Sequence, residues 1–332
     1  MKIGITDYVA APGDIEQEAL GGDAELVFLN AIHAQDFDDA QLAQVEALLV
    51  WHAHIDRDVI ARLKKCRVVV RYGVGYDNID VAGLEEAGII FCNTPDYGTE
   101  EVADTATAMA LALARAIGQY DFKARKYHDS WQENTVSGIK RLSTTTLGVI
   151  GVGRIGSSVM RRMRPFGVRL VGYDPHLPSG HEKALGYERA HSLDALLQQA
   201  DIVSVHCPLT PQTSGMINPA FLGAMQPGGI LVNTARGGLI ADLDPLHDAL
   251  ESGHLAGLGL DVLPQEPPLD DKLTTAWRRG ATWLQGRLII NPHTAYYSEQ
   301  AWREMRYKAA ETAKLVLTGG PIRNRIRPAD VA

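Results

Sequence analysis

The chain is poor in cysteine. Cys66, Cys92 and Cys207 are its only three, with no CxxC spacing and no Cys/His cluster. A disulfide framework is thereby set aside, and the three read as buried small residues in a reducing compartment. A basic excess is missing too. Lys and Arg total 32 against 40 Asp and Glu, a net charge of −8, so no nucleic-acid partner is expected. No apolar run approaches about 18 residues, so no membrane span is expected. The opening MKIGITDYVAAPGD meets Asp7 and Asp14 too early for a signal peptide, which points to the cytoplasm. Internal repeats of short period are absent. What is present is ordinary globular usage, 45% hydrophobic and 22% charged, which rules against disordered, collagenous and coiled-coil classes. A length of 332 residues suggests two domains.

Short β-branched runs alternate with helix-like segments. In the first hundred residues the expected strands are 3–6, 25–29, 47–51, 68–72 and 89–93, with helices over 38–45, 58–64 and 80–87. Such alternation predicts βαβ units and parallel sheets. A long Ala-rich helix is expected over 101–128, opened by Thr99, Glu100 and Glu101 as cap and first-turn acids. A second alternation follows, with strands at 147–150, 169–173, 202–206, 230–233, 257–261 and 288–291, then a helix over 298–317. The basic tail with Arg323, Arg325 and Arg327 reads as a solvated terminus.

One loop is chemically pointed. Leu147–Ile150 runs into Gly151-Val152-Gly153-Arg154-Ile155-Gly156 and then a helix. A GxGxxG between strand and helix fits a dinucleotide pyrophosphate. Gly151 suits the tight turn, Gly153 close backbone approach and Gly156 helix packing. Asp174 ends the next strand, where a carboxylate would accept from the adenosine ribose hydroxyls and repel a 2′-phosphate, favouring NAD over NADP. Three further segments follow strands and carry charge: 232–238 with Arg236, 260–267 with Asp261 and Glu266, and 291–295 with His293. A guanidinium can grip a carboxylate bidentately, and an acid beside an imidazole fixes its tautomer. His52 and His54 alternate on one face of an extended segment, but no third ligand lies near, so no metal is assigned.

Together GVGRIG, VNTARGG, DVLPQEP and NPHTAYYSEQ resemble the D-isomer-specific 2-hydroxyacid dehydrogenases over nearly the whole chain. Residues 71–80, 95–104 and 293–300 are most similar to the C-terminal-binding-protein branch and its bacterial enzyme relatives. The resemblance implies an α/β protein of two Rossmann-like/flavodoxin-like parallel-sheet domains. An NAD-binding domain, 101–296, would be inserted into a substrate domain made of 1–100 and 297–332. It implies an NAD-dependent oxidoreductase interconverting a D-2-hydroxy acid and its 2-oxoacid. Arg236 would hold the carboxylate, His293 would act as acid and base, and Glu266 would partner His293. The cofactor would meet Val74, Val102, Gly151, Gly153, Arg154, Ile155, Gly156, Asp174, His206, Cys207, Pro208, Thr213, Thr234, Ala235, Arg236, Asp261 and His293. The substrate would meet Arg71, Val74, Gly75, Arg236, Tyr296 and Met305. A homodimer formed largely through the cofactor domain is implied as well. Residues 267–287, with Trp277, Arg278, Arg279 and Trp283, lengthen the Glu266-to-His293 connection beyond the family pattern; they would cap the site, meet a neighbouring subunit or pack on the surface. Two other readings compete: an NAD-responsive, corepressor-like binding protein with little turnover, and an NADP-dependent glyoxylate or hydroxypyruvate reductase. Against the first stands a chain that stops soon after the dehydrogenase-like core; against the second, Asp174.

Overall fold

The structure is a computed structural model and describes residues 1–22, 24–127 and 131–330. It divides into two compact units, Met1–Gly98 with Tyr297–Ala332, and Thr99–Tyr296.

In the first unit, β1 (Lys2–Ile5), β2 (Glu25–Phe28), β3 (Ala47–Val50), β4 (Val68–Arg71) and β5 (Ile90–Cys92) form a parallel sheet of order β2-β1-β3-β4-β5. Ala47–Val50 and Val68–Val70 have no exposed surface, the continuous apolar pattern of strands covered on both faces. Asp38, Asp56 and Asp80 each cap a following helix by accepting an N–H, from Gln41, Val59 and Gly83. A helix over Asp14–Leu20, not expected from the sequence, packs along the Glu299–Leu317 helix. The two are tied by Arg306, whose guanidinium donates to Glu16 at 2.5 and 2.8 Å, while Glu16 also accepts the Tyr72 hydroxyl at 2.9 Å. The basic tail is only partly solvated: Arg323 and Arg327 are exposed, while Arg325 and Ile326 dock on the sheet edge. Ile326 N–H donates to Phe91 O at 2.9 Å, Arg325 bridges Cys92, and its guanidinium lies 3.1 Å from Glu85. The exposed edge of β5 has donors and acceptors to satisfy, and the tail meets them.

In the second unit, β6 (Thr146–Ile150), β7 (Arg169–Tyr173), β8 (Glu188–Arg189), β9 (Ile202–Val205), β10 (Gly229–Asn233), β11 (Leu255–Leu260) and β12 (Leu288–Ile290) run parallel in the order β12-β11-β10-β9-β6-β7-β8. Two-residue, charged β8 leaves no mark in the hydrophobic pattern. The expected 101–128 helix is two helices, Thr99–Ala114 and Ile117–Ala124, and His128 lies outside the described residues. Buried Ala116 at φ 50° breaks the ladder. Two residues on, Gly118 approaches Gly286 so closely that an added Cβ would lie 2.8 Å from the Gly286 Cα. The Thr99–Ala114 helix lies on β11, where Gly257 and Gly259 leave room for Leu113 and Met109. Within 267–287, Asp271 caps a helix over Lys272–Arg278. Leu273 and Leu284 enter the core of this unit, and Trp283 meets the His247 ring edge-on at 5.2 Å. This stretch is therefore packed against its own unit.

Candidate active site

The glycine loop is built for close approach. Gly151 has φ 83°, and a Cβ there would strike the Cys207 N at 2.6 Å. A Cβ on Gly156 would lie 2.1 Å from Gly151 O, so only glycine lets the Arg154–Met163 helix start beneath the turn. At Gly153 an added Cβ meets nothing within 4 Å, and the residue is exposed. The loop thus offers open backbone at a helix N-terminus, where an anion is favoured. Arg154 is exposed beside it, Ile155 half-buried. Asp174 Oδ2 accepts Val152 N–H at 3.0 Å and Oδ1 accepts His176 N–H at 3.1 Å. A carboxylate has about four acceptor sites, so those two bonds orient it without exhausting it.

Further along the same strand ends, two buried polar atoms have no protein partner: His206 Nδ1 and Thr234 Oγ1. The other His206 nitrogen, Nε2, lies 2.7 Å from Ser204 Oγ, and burial pushes its pKa down to about 3, so the ring is neutral. Orphaned buried atoms of this kind await a ligand or water. With the open Gly153 backbone they fit a dinucleotide. Burial pushes the half-buried Cys207 thiol up to about 12. Pro208 is exposed, and Thr213 turns inward, donating to Pro208 O at 2.7 Å and accepting Thr210 N–H at 2.8 Å. Val102 is buried on the Thr99–Ala114 helix.

Arg236, Glu266 and His293 come together after β10, β11 and β12. Asn233 shapes the first loop, accepting Ala235 N–H at 3.0 Å and donating to Arg236 O at 2.9 Å. Gly237 then packs onto the second loop; a Cβ there would fall 1.8 Å from Leu263 O. In that second loop Glu266 Oε1 accepts Leu263 N–H at 2.9 Å, and Oε2 lies 2.7 Å from His293 Nδ1. Burial pushes the Glu266 pKa up, but His293, the Leu263 N–H and the Arg236 charge together hold it below the usual value. His293 has φ 55°, a conformation that non-glycine residues hold only under constraint. The constraint is Asp261, whose carbonyl accepts His293 N–H at 2.8 Å and whose Oδ1 accepts Thr294 and Ala295 N–H at 2.9 and 3.0 Å. Asp261 is 2% exposed, and burial raises its pKa against those bonds. Asp261, expected to meet the cofactor, thus also braces the His293 loop.

In the first unit, half-buried Arg71 ends β4, and its Nη1 would be 2.7 Å from a Cβ on Gly73. Val74 is partly exposed and its carbonyl accepts Asn93 Nδ2 at 2.8 Å; Gly75 is half-exposed. Tyr296 is half-buried. Met305 has no exposed surface. The sequence reading also missed Asp7, which lies 2.7 Å from His52 Nδ1. His52 and His54 do not act together: His52 turns to Asp7, and His54 stacks on His33 at 5.9 Å.

The family model described as D-isomer specific 2-hydroxyacid dehydrogenase, NAD binding domain, matches residues 107–295. D-3-phosphoglycerate dehydrogenase of Methanocaldococcus jannaschii is 38% identical over 265 residues, covering 80% of this chain and 48% of that protein. The chain spans about half the length of the curated relatives it matches. Among solved structures, Aquifex aeolicus D-lactate dehydrogenase with NAD and lactic acid is 29% identical, with a TM-score of 0.82 over 96% of each chain. An NADPH-dependent glyoxylate/hydroxypyruvate reductase from Sinorhizobium meliloti, with NADP and malonate, is 27% identical, with a TM-score of 0.83 over 99% of this chain and 97% of that one.

Proposed function

Since the chain belongs to the D-isomer specific 2-hydroxyacid dehydrogenase family, we propose that it interconverts a D-2-hydroxy acid and its 2-oxoacid using NAD(H). The observation that carries this reading is the 2.7 Å contact between His293 Nδ1 and Glu266 Oε2 beside the Arg236 loop. The nicotinamide, when bound, supplies or accepts the hydride. Ionised Glu266 holds the imidazole as an Nδ1–H donor, which leaves Nε2 for the substrate oxygen. In reduction Nε2 donates its proton to the keto oxygen; in oxidation it takes the hydroxyl proton. The charge on the protonated ring is met by Glu266. Arg236 binds the 2-carboxylate and orients the carbonyl, as a planar guanidinium suits. His206 Nδ1 and Thr234 Oγ1 gain partners from the dinucleotide, Gly151–Gly156 cradle its pyrophosphate, and Asp174 takes the adenosine ribose.

The reading extends to the unit Thr99–Tyr296 as the cofactor half and to the first unit, with Arg71, Val74 and Gly75, as the substrate half. It also takes the chain to act as a homodimer in the cytoplasm. The deciding experiment is a panel of 2-oxoacids with NADH oxidation as readout and chiral analysis of product. Turnover giving a D-hydroxy acid supports the reading. Normal NADH binding without turnover of any 2-oxoacid refutes it.

A further inference from the structure

A serine stands inside the apolar strand β9, where packing alone calls for a hydrocarbon side chain. The strand reads Ile202-Val203-Ser204-Val205, and Ser204 has no exposed surface. In register it lies between Val149 of β6 and Val232 of β10. A buried hydroxyl in such a setting destabilises unless it is hydrogen-bonded. Its bond is to His206, whose Nε2 lies 2.7 Å from Ser204 Oγ, and that hydroxyl has no other partner among the described residues. The pairing follows from the pleat, since residues two apart share one face of a strand. His206 continues the ladder past the end of β9, its N–H donating to Ile150 O at 2.7 Å.

Which atom donates is decided by what each arrangement leaves buried and unpaired. Burial holds the ring neutral, so only one of its nitrogens carries a proton. Were the hydroxyl to accept from Nε2–H, its own O–H would lack an acceptor inside a strand with no exposed surface, and Nδ1 would be an unpaired acceptor as well. With the hydroxyl donating to Nε2, a single group is left over, an N–H on Nδ1, which is buried without a partner among the described residues. One orphan costs less than two. That remaining donor belongs to a residue at the dinucleotide cradle. A Cβ on Gly151 would meet the His206 carbonyl carbon and the Cys207 Cα at 2.8 Å. From β6 the chain runs to β7 and β8 on one side and returns at β9 on the other. Doubly wound sheets bind their dinucleotide at such a switch point.

We propose that Ser204 is a positioning residue for the cofactor: its hydroxyl donates to His206 Nε2, fixes the ring as the Nδ1–H tautomer and so presents a neutral N–H donor to an oxygen of the dinucleotide. This rests on the cofactor part of the reading above and not on hydride transfer. Ser204 itself touches no ligand. An oxygen acceptor completes the second bond of the ring, whereas a donor group at that place would set N–H against N–H. An alanine at position 204 packs as serine does but leaves the proton free to sit on either nitrogen. Part of the ring population then meets the cofactor with a lone pair in place of the donor.

The test has a ligand-free arm and a binding arm. Nitrogen-15 NMR of the histidine rings, with His206 assigned by its absence in His206→Asn, is expected to show a protonated Nδ1 and a bare Nε2 in the parent, and a mixture of tautomers in Ser204→Ala. A parent ring protonated at Nε2 overturns the proposal. By calorimetry Ser204→Ala should raise the NADH Kd about 3- to 10-fold, the scale of one neutral hydrogen bond. A double-mutant cycle separates positioning from packing. Asparagine carries its NH2 near the place of Nδ1 and has no tautomer to set. In the His206→Asn background Ser204→Ala should therefore change the Kd by less than about twofold. Equal losses in both backgrounds, or a loss under about threefold in the parent background, overturn the proposal. Should Ser204→Ala not fold, the parent ring alone decides: an Nδ1–H proton resonance that moves on NADH addition supports the assignment, and one that stays in place overturns it. If the parent binds no NADH, the cofactor reading itself has failed. NADH bound by the parent with a flat cycle leaves that reading standing and removes Ser204 from it.

Discussion

Replacing Glu266 by Gln isolates what the carboxylate contributes, because the side chains are almost the same size. Glu266 serves two donors with separate oxygens: Leu263 N–H at 2.9 Å and His293 Nδ1–H at 2.7 Å. Glutamine has one acceptor oxygen and one NH2 group. With the oxygen on Leu263, the NH2 faces Nδ1 and reverses the imidazole tautomer. With the oxygen on His293, the Leu263 N–H faces an NH2. Either way a hydrogen bond to a charged group is lost, worth about 1.5–3 kcal/mol. His293 and Glu266 side chains are 44% and 38% exposed, so water screens the pair. The lower part of that range, about 1.5–2 kcal/mol, therefore applies. At about 1.4 kcal/mol per factor of ten, kcat/KM for 2-oxoacid reduction should fall about 10- to 30-fold. The sign of the pH dependence follows from the depressed Glu266 pKa. The carboxylate is ionised above its ordinary pKa, and its contribution fades only as pH falls through the lower folded value. The parent-to-variant ratio should hold steady from about pH 5 upward and close toward unity on the acid side. Initial rates of NADH oxidation measure this, with fluorescence titration of NADH as control. A variant within about twofold of the parent, or a loss traceable to NADH binding, refutes the assigned role.

Three further outcomes follow from named contacts. Asp174→Ala should lower the NADH-to-NADPH ratio of kcat/KM, since a carboxylate at this strand end repels a 2′-phosphate; an unchanged ratio removes Asp174 from cofactor choice. Gly156→Ala forces a Cβ to within 2.1 Å of Gly151 O, so NADH binding by calorimetry should be lost or greatly weakened, and near-parental affinity contradicts the cradle. Glu16→Gln removes the nearer carboxylate from Arg306, whose side chain is only 9% exposed and which keeps Asp14 Oδ1 at 3.3 Å, and should cost about 1.5–3 kcal/mol in urea unfolding. Adding Arg306→Met should recover part of that, and additive losses would show that the two do not act as a pair.

What could be read from the sequence, and what could not, divides along the distance over which a residue's role is decided. The glycine loop is legible because a turn, a helix start and a close approach act within six consecutive residues, and each demands a missing Cβ. Strands such as Ala47–Val50 are legible because burial on both faces writes a continuous apolar run. Arg236, Glu266 and His293 were candidates by type and by following strands, but their meeting depends on Gly237 packing onto Leu263 and on Asp261 bracing the last loop. Neither is visible in spacing. Roles set by distant partners were missed or misread. Glu16 looks like a solvent-facing acid in a short segment after Pro12 and Gly13, yet it is fully buried because Arg306 reaches it from 290 residues away. That acid interrupts the apolar period, so the Asp14–Leu20 helix was not foreseen. His52 looked like half of a His52/His54 pair because alternation is local, whereas its partner, Asp7, lies 45 residues upstream on a neighbouring strand end. A charged side chain in an α/β sequence therefore tells little until its counter-charge is located, and sheet order, rather than sequence spacing, determines which strand ends are adjacent.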